Sequence, residues 1–156
     1  MEICFTVFGN IVSHQRPRVV TTKAGQSFAY TPGKTRNWKE VIRAEAIKIK
    51  PNIPMDGELE LQCIFYFLMP ESKRRKDKNK EPFYCIGNKD FDNLVKSITD
   101  ATQKILFRND NQVVIGHIEK RYTEEAERVE IVIKQIIKPE YKTTINKEPE
   151  LILFQN

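Results

Sequence analysis

The sequence predicts an α+β domain: a mixed sheet of about four strands with two main helices, in the order β-α-β-α-β-β. Three observations carry this. Residues 2–8, 58–68, 112–122 and 127–137 read as strands, clearest in the period-two alternation of 58–68. Between them, residues 35–50 and 94–106 repeat apolar positions every three to four residues, the spacing of a helix with one buried face. The length, 156 residues, fits one domain, which at this size buries roughly two thirds of its unfolded surface without disulfides.

Residues 2–8 set Ile3, Phe5 and Val7 against Cys4, Thr6 and Phe8, and both sets are apolar enough for a strand covered on both faces. Glu2 and the lack of a basic cluster make this segment a strand and not a signal peptide. Residues 13–34 contain Pro17, Gly25, Pro32 and Gly33 and read as loop. Arg16-Pro17-Arg18 holds two guanidinium groups on extended backbone, because proline disfavours helix there. Phe28 and Tyr30 either anchor this loop to the core or offer stacking surfaces to bases. Thr35 caps a predicted helix running to Lys50, with Trp38, Val41, Ile42, Ala46 and Ile49 on one side and Pro51 beyond its end.

Residues 58–68 place Leu59, Leu61, Cys63, Phe65 and Phe67 on one face, the pattern of a central strand, which Pro70 ends. A basic loop at 71–80 follows. The second predicted helix carries a stripe of Leu94, Val95, Ile98, Ala101, Ile105 and Leu106, with Asp92 as its N-cap. Residues 112–122 and 127–137, separated by Thr123-Glu124-Glu125-Ala126, are predicted to pair as an antiparallel hairpin. The domain is expected to close at residue 138, leaving 139–156 as a tail.

Charge is segregated. The total is +5, but residues 14–39 carry six basic side chains and no acidic one, and residues 71–80 carry a net +4. That distribution points to a polyanion partner more than the total does. Three cysteines with no C-x-x-C pair argue for a reducing compartment and against a disulfide framework or zinc site. No apolar run approaches the ~20 residues of a membrane span. A cytoplasmic protein without a membrane partner is the expectation. His14 and His117 accompany no Ser or Cys nucleophile motif, and no glycine-rich phosphate loop is present.

The chemistry concentrates in Lys89–Asp110. Asp90 and Asp92 flank the entry to a helix, and Asp110 follows its end. Two carboxylates at i, i+2 can approach one hard cation such as Mg²⁺, and a third completes a site able to polarise a phosphodiester. A second account of the same residues needs no metal. Asp92 then only caps the helix, and Asp92, Lys96, Asp100 and Lys104 form an i, i+4 ion-pair ladder.

Asp90-Phe-Asp92-Asn93-Leu94-Val-Lys96, then Asp100-Ala101, then Asn109-Asp110-Asn111-Gln112-Val113 resembles the core of the RusA family of Holliday-junction resolvases. Lys120 matches a further lysine of that pattern, and Arg-Pro-Arg, Tyr-Thr-Pro and Lys-Thr-Arg resemble the N-terminal half of phage-type members. The similarity runs to about residue 137. It implies a RusA-like fold and a Mg²⁺-dependent, homodimeric endonuclease that nicks four-way DNA junctions in recombination and repair, with no small-molecule cofactor. It assigns metal binding to Asp90, Asp92 and Asp110, and the catalytic-helix lysine to Lys96. Asn109 departs from the family's paired acids. Phosphate contacts are expected from Arg16, Arg18, Lys34, Arg36, Lys73, Arg74, Arg75, Lys76 and Lys89.

A helix from Asp92 to Ile105 spans ~20 Å, so Asp110 is expected far from Asp92 within one chain. A site composed across a two-fold dimer follows as an expectation. Two competing functions are a non-enzymatic basic DNA-binding protein and a metal phosphohydrolase acting on small phosphates.

Overall fold

The computed structural model describes residues 1–71, 74, 84–87 and 89–137. Lys73, Arg75 and Lys76, the expected boundary at 138 and the expected tail lie outside the described residues. The strands are β1 (Glu2–Phe8), β2 (Arg18–Thr21), β3 (Ser27–Tyr30), β4 (Leu59–Leu68), β5 (Val113–Thr123) and β6 (Arg128–Gln135). The helices are α1 (Gly33–Lys48) and α2 (Phe91–Thr102).

The main sheet has the order β1-β6-β4-β5, and β2 pairs with β3 in a separate two-stranded ribbon. β4 is central, as its alternation predicted. Leu59, Leu61, Cys63, Phe65 and Phe67 are all buried along one face, each worth about 1.5–3 kcal/mol for a large apolar side chain. Across this face lie Leu94, Ile98 and Ala101 from α2 and Trp38, Ile42 and Ala46 from α1.

The expected β5–β6 hairpin does not form. β6 pairs antiparallel with β4 (Cys63↔Ile131), whereas β5 pairs parallel with β4 on the other side (Cys63↔Ile118). Direct pairing of β5 with β6 would leave the most apolar strand at an edge. Insertion of β4 gives it a partner on both sides, and α2 supplies the crossover that parallel strands require. The connection past Thr123 has only to cross one intervening strand, about 10 Å, within reach of its few residues.

Three other expectations change. β1 is an edge strand covered on one face only, with Cys4 and Phe8 exposed. The stretch 13–34 is not all loop, because it contains the β2–β3 ribbon. α1 begins at Gly33 and Thr35 is buried in its first turn, not its cap. Thr35, Trp38, Ile42 and Ala46 form the inward stripe, while Val41 and Ile49 face outward.

α2 also ends early. Lys104 adopts φ +65, and this left-handed residue reverses the chain so that Leu106 and Phe107 become fully buried. Met55 N–H then donates to Leu106 O at 2.8 Å. The sheet face away from the helices carries paired charges among apolar side chains such as Tyr66 and Phe8. Arg128 bonds Glu130 at 3.0 Å and lies 4.0 Å over the Tyr66 ring. No helix among the described residues is long and apolar enough to cross a membrane.

Candidate active site

Asp90 and Asp92 stand at the start of α2. Asp90, not Asp92, occupies the N-cap, with extended backbone (φ −66, ψ 136), and its carbonyl accepts from Leu94 N–H at 3.1 Å. Neither carboxylate is consumed by capping: Asp90 makes no side-chain cap bond. Its Oδ2 instead accepts from Asn93 Nδ2 at 3.3 Å. Asp92 follows in the first turn, where its negative charge suits the positive end of the helix dipole. Asp90, Asp92 and Lys96 are all exposed. Asp92 and Lys96 line one hollow of about 370 Å³, walled by Val95 and Thr99 of α2 and by Val113 and Ile118 of β5.

The ion-pair ladder of the metal-free account is not built. Asp100 pairs away from the helix, with Lys39 of α1 at 2.6 Å and His14 at 3.6 Å, and Lys104 lies beyond the helix end. These contacts tie α2 to α1 and to the chain leaving β1. His14 N–H donates to Asn93 O at 2.9 Å, and Ser97 Oγ donates to Val12 O at 3.2 Å. Burial and the nearby Lys39 hold the His14 imidazole below its ordinary range, against the opposing pull of Asp100.

Lys89, expected among the DNA contacts, turns inward. Its ammonium donates to Ile11 O and sits 4.8 Å from the Phe67 ring centroid. Burial lowers its pKa from the ordinary lysine range. Lys120 Nζ donates to Lys89 O at 3.0 Å. The two lysines therefore brace the backbone immediately before Asp90, beside a cleft of about 390 Å³ that both line.

Asp110 begins a short 3-10 turn, Asp110–Gln112, ahead of β5. Asn109 caps that turn: its Oδ1 accepts from Asn111 N–H at 3.2 Å. Gln112 closes it from the other side. Its Oε1 accepts from Arg108 N–H (2.8 Å) and Asn109 N–H (2.9 Å), and its Nε2 donates to Gly57 O (3.0 Å) and Met55 O (3.3 Å). The asparagine that departs from the paired-acid pattern thus has a structural task.

Asp110 and the Asp90–Asp92 pair occupy opposite ends of the same two elements. The twelve residues of α2 rise about 18 Å. The Lys120–Lys89 bond fixes the start of α2 beside the far end of β5, and Lys120 lies about 23 Å along the strand from Val113. Among the described residues, no three His, Cys, Asp or Glu side chains of one chain group as a metal site. The donor chemistry nonetheless suits a hard cation: the exposed carboxylates of Asp90 and Asp92, with the Asn93 side-chain amide held beside Asp90.

A family model for endodeoxyribonuclease RusA matches residues 9–134. The chain belongs to the RusA family. It is an endodeoxyribonuclease of the Holliday-junction resolvase type, hydrolysing phosphodiester bonds. It is also 31% identical, over 139 residues, to a Bacillus subtilis (strain 168) protein described as "Uncharacterized protein YqaN", an alignment covering 86% of this chain and 96% of that one.

In this RusA-family chain, Arg16, Arg18, Lys34, Arg36 and Arg74 are exposed. Sequence reasoning did not single out Gln112, Asp100 or His14 as residues that hold the site. A signal for Gln112 was present, since Asn109 and Gln112 have the spacing of a capping box. Asp100 belongs to the matched motif, but its pairing with Lys39 and His14 gave no signal, because those partners are remote in sequence.

Proposed function

We propose that the chain resolves four-way DNA junctions in recombination and repair as a two-fold homodimer, by Mg²⁺-dependent hydrolysis at two sites shared between protomers. The observation that carries this reading is the placement of Asp110 at one end of α2 and β5 and of Asp90 and Asp92 at the other. β5 is an edge of the main sheet, with Val114 58% and Ile115 42% exposed. A two-fold axis crossing β5 near its middle brings the partner's Asp110 toward Asp90 and Asp92.

Asp90, Asp92 and the partner's Asp110 would hold the metal, which when bound supplies Lewis-acid polarisation of the phosphate and an activated water. Asn93 orients Asp90 through its amide. Lys96, one turn beyond Asp92 on the same hollow, places its ammonium where charge collects on the scissile phosphate. Lys89 and Lys120 act indirectly, by fixing the backbone before Asp90. Arg16, Arg18, Lys34, Arg36 and Arg74, together with Lys73, Arg75 and Lys76, contact the DNA backbone, which positions the substrate without reading its sequence.

The test compares wild type with Asp92→Asn on a four-way junction and a linear duplex, with and without Mg²⁺. Wild type should nick the junction only with the metal. Asp92→Asn should lose about two orders of magnitude or more in rate, the scale of removing one group that stabilises the transition state, while still binding the junction. Equal cutting of both DNAs would leave a nuclease without junction selectivity.

A further inference from the structure

The β2–β3 ribbon stands off the body of the protein. All eight of its residues are exposed, its two strands pack chiefly on each other, and none of its side chains joins the hydrophobic core. Register sorts its side chains into two faces. Arg18 is opposite Tyr30 and Val20 opposite Phe28, so these four share one face. Thr21 and Ser27 lie on the other, joined by a 2.8 Å hydroxyl contact. A tight turn fixes that register: Thr22 N–H donates to Gln26 O at 2.8 Å, and Gly25 takes φ +80.

This composition is costly for a surface that meets only water. Phe28 is 53% exposed, Tyr30 42% and Val20 40%. An isolated two-stranded ribbon is at best marginally stable in water. The alternative reading of the two aromatics as core anchors is therefore closed. The charge beside them identifies the occupant: Arg16, Arg18, Lys23, Lys34 and Arg36 lie in or next to the ribbon in sequence, all exposed, with no acidic residue between 14 and 39.

We propose that this face docks on unstacked bases at the branch point of a DNA junction, with Phe28 and Tyr30 as the stacking residues and Arg18 on an adjacent phosphate. Residues two apart on a strand are separated by about 6.8 Å, twice the ~3.4 Å rise of one nucleotide, so the two rings have room for one base between them. The ribbon is also rooted at the catalytic helix. Its incoming strand begins four residues after His14, whose N–H is bonded to Asn93 O in the first turn of α2. The root of the ribbon therefore lies beside the first turn of α2, which carries Asp92. The proposal rests on the branched-DNA reading above and adds to it the element that recognises the branch.

The test measures equilibrium binding of the full chain, without divalent metal, to an immobile four-way junction and to a linear duplex. Phe28→Ala with Tyr30→Ala should weaken junction binding at least about tenfold, the scale of losing base–aromatic stacking, and leave duplex affinity unchanged. Phe28→Tyr with Tyr30→Phe keeps both rings and should restore junction binding. Arg18→Ala should weaken both DNAs and reduce the salt slope by about one. Equal losses on junction and duplex, or a shift of the double alanine variant to monomer in sedimentation, would overturn the proposal by assigning the face to a groove or to a second copy. Undiminished junction preference without the rings would overturn it alone. Wild type binding both DNAs alike would overturn the branched-DNA reading, and this proposal with it.

Discussion

Asp110 owes its position to Gln112, a side chain two residues away that makes four hydrogen bonds to backbone groups of two separate segments. Gln112→Ala should destabilise the fold by about 1–3 kcal/mol in denaturant titrations, the cost of leaving such groups unpaired, and should lower nicking while junction binding persists. Gly9 is a second residue fixed by geometry. Its φ is +142, and a Cβ there would meet the Trp38 ring at 3.2 Å. Gly9→Ala should cost on the order of 1–3 kcal/mol through backbone strain, read as a lowered thermal midpoint. His14 sets a pH dependence. Its folded pKa lies below the ordinary value of 6.5, so the unfolded chain binds more protons as pH drops below that value. Stability should be fully present above about pH 6.5 and decline as pH falls toward the folded pKa. His14→Asn should flatten that part of the stability profile. The acids were legible in the sequence because their spacing is local. The backbone partners of Gln112 and Lys89 were not, because Met55, Gly57 and Ile11 are brought in by the fold.

The anchoring of α2 is the next level of control. Lys39 and Asp100, each only 20% exposed, join α1 to α2 at 2.6 Å. A double-mutant cycle of Lys39→Met and Asp100→Asn should give a coupling of about 1 kcal/mol, with Asp100→Asn the more damaging single change because it also leaves Lys39 and His14 without their carboxylate. Zero coupling would mean that packing alone holds the helices. Both helices and all four main strands were readable from periodicity, as was the central place of β4. What periodicity cannot encode is which strands become neighbours. The short link after β5 looked like a hairpin, yet β4 needs partners on both edges and takes β5 and β6 apart. The early end of α2 was hidden for a similar reason: Ile105 and Leu106 continue the helical stripe in sequence, but burial of Leu106 and Phe107 is reached by a reversal at Lys104.

In the proposed dimer, each chain contributes two half-sites. Asp90, Asp92 and Lys96 open at one end of α2, and Asp110 is pinned at the opposite end of β5. The sequence anticipated this separation from helix length, and the shorter observed helix keeps it, because α2 and β5 run in opposite directions. The proposed two-fold dimer would turn two such chains into two complete sites, and two sites would suit paired nicks across a four-way junction. The decisive measurement is subunit complementation. Heterodimers of an Asp92→Asn chain with an Asp110→Asn chain contain one site with both substitutions and one with neither, if the site is shared. They should regain nicking from one site per dimer and cut a junction on one strand, whereas Asp90→Asn paired with Asp92→Asn should stay inactive. No activity in verified Asp92→Asn/Asp110→Asn heterodimers would contradict a shared site and place all three acids in one chain.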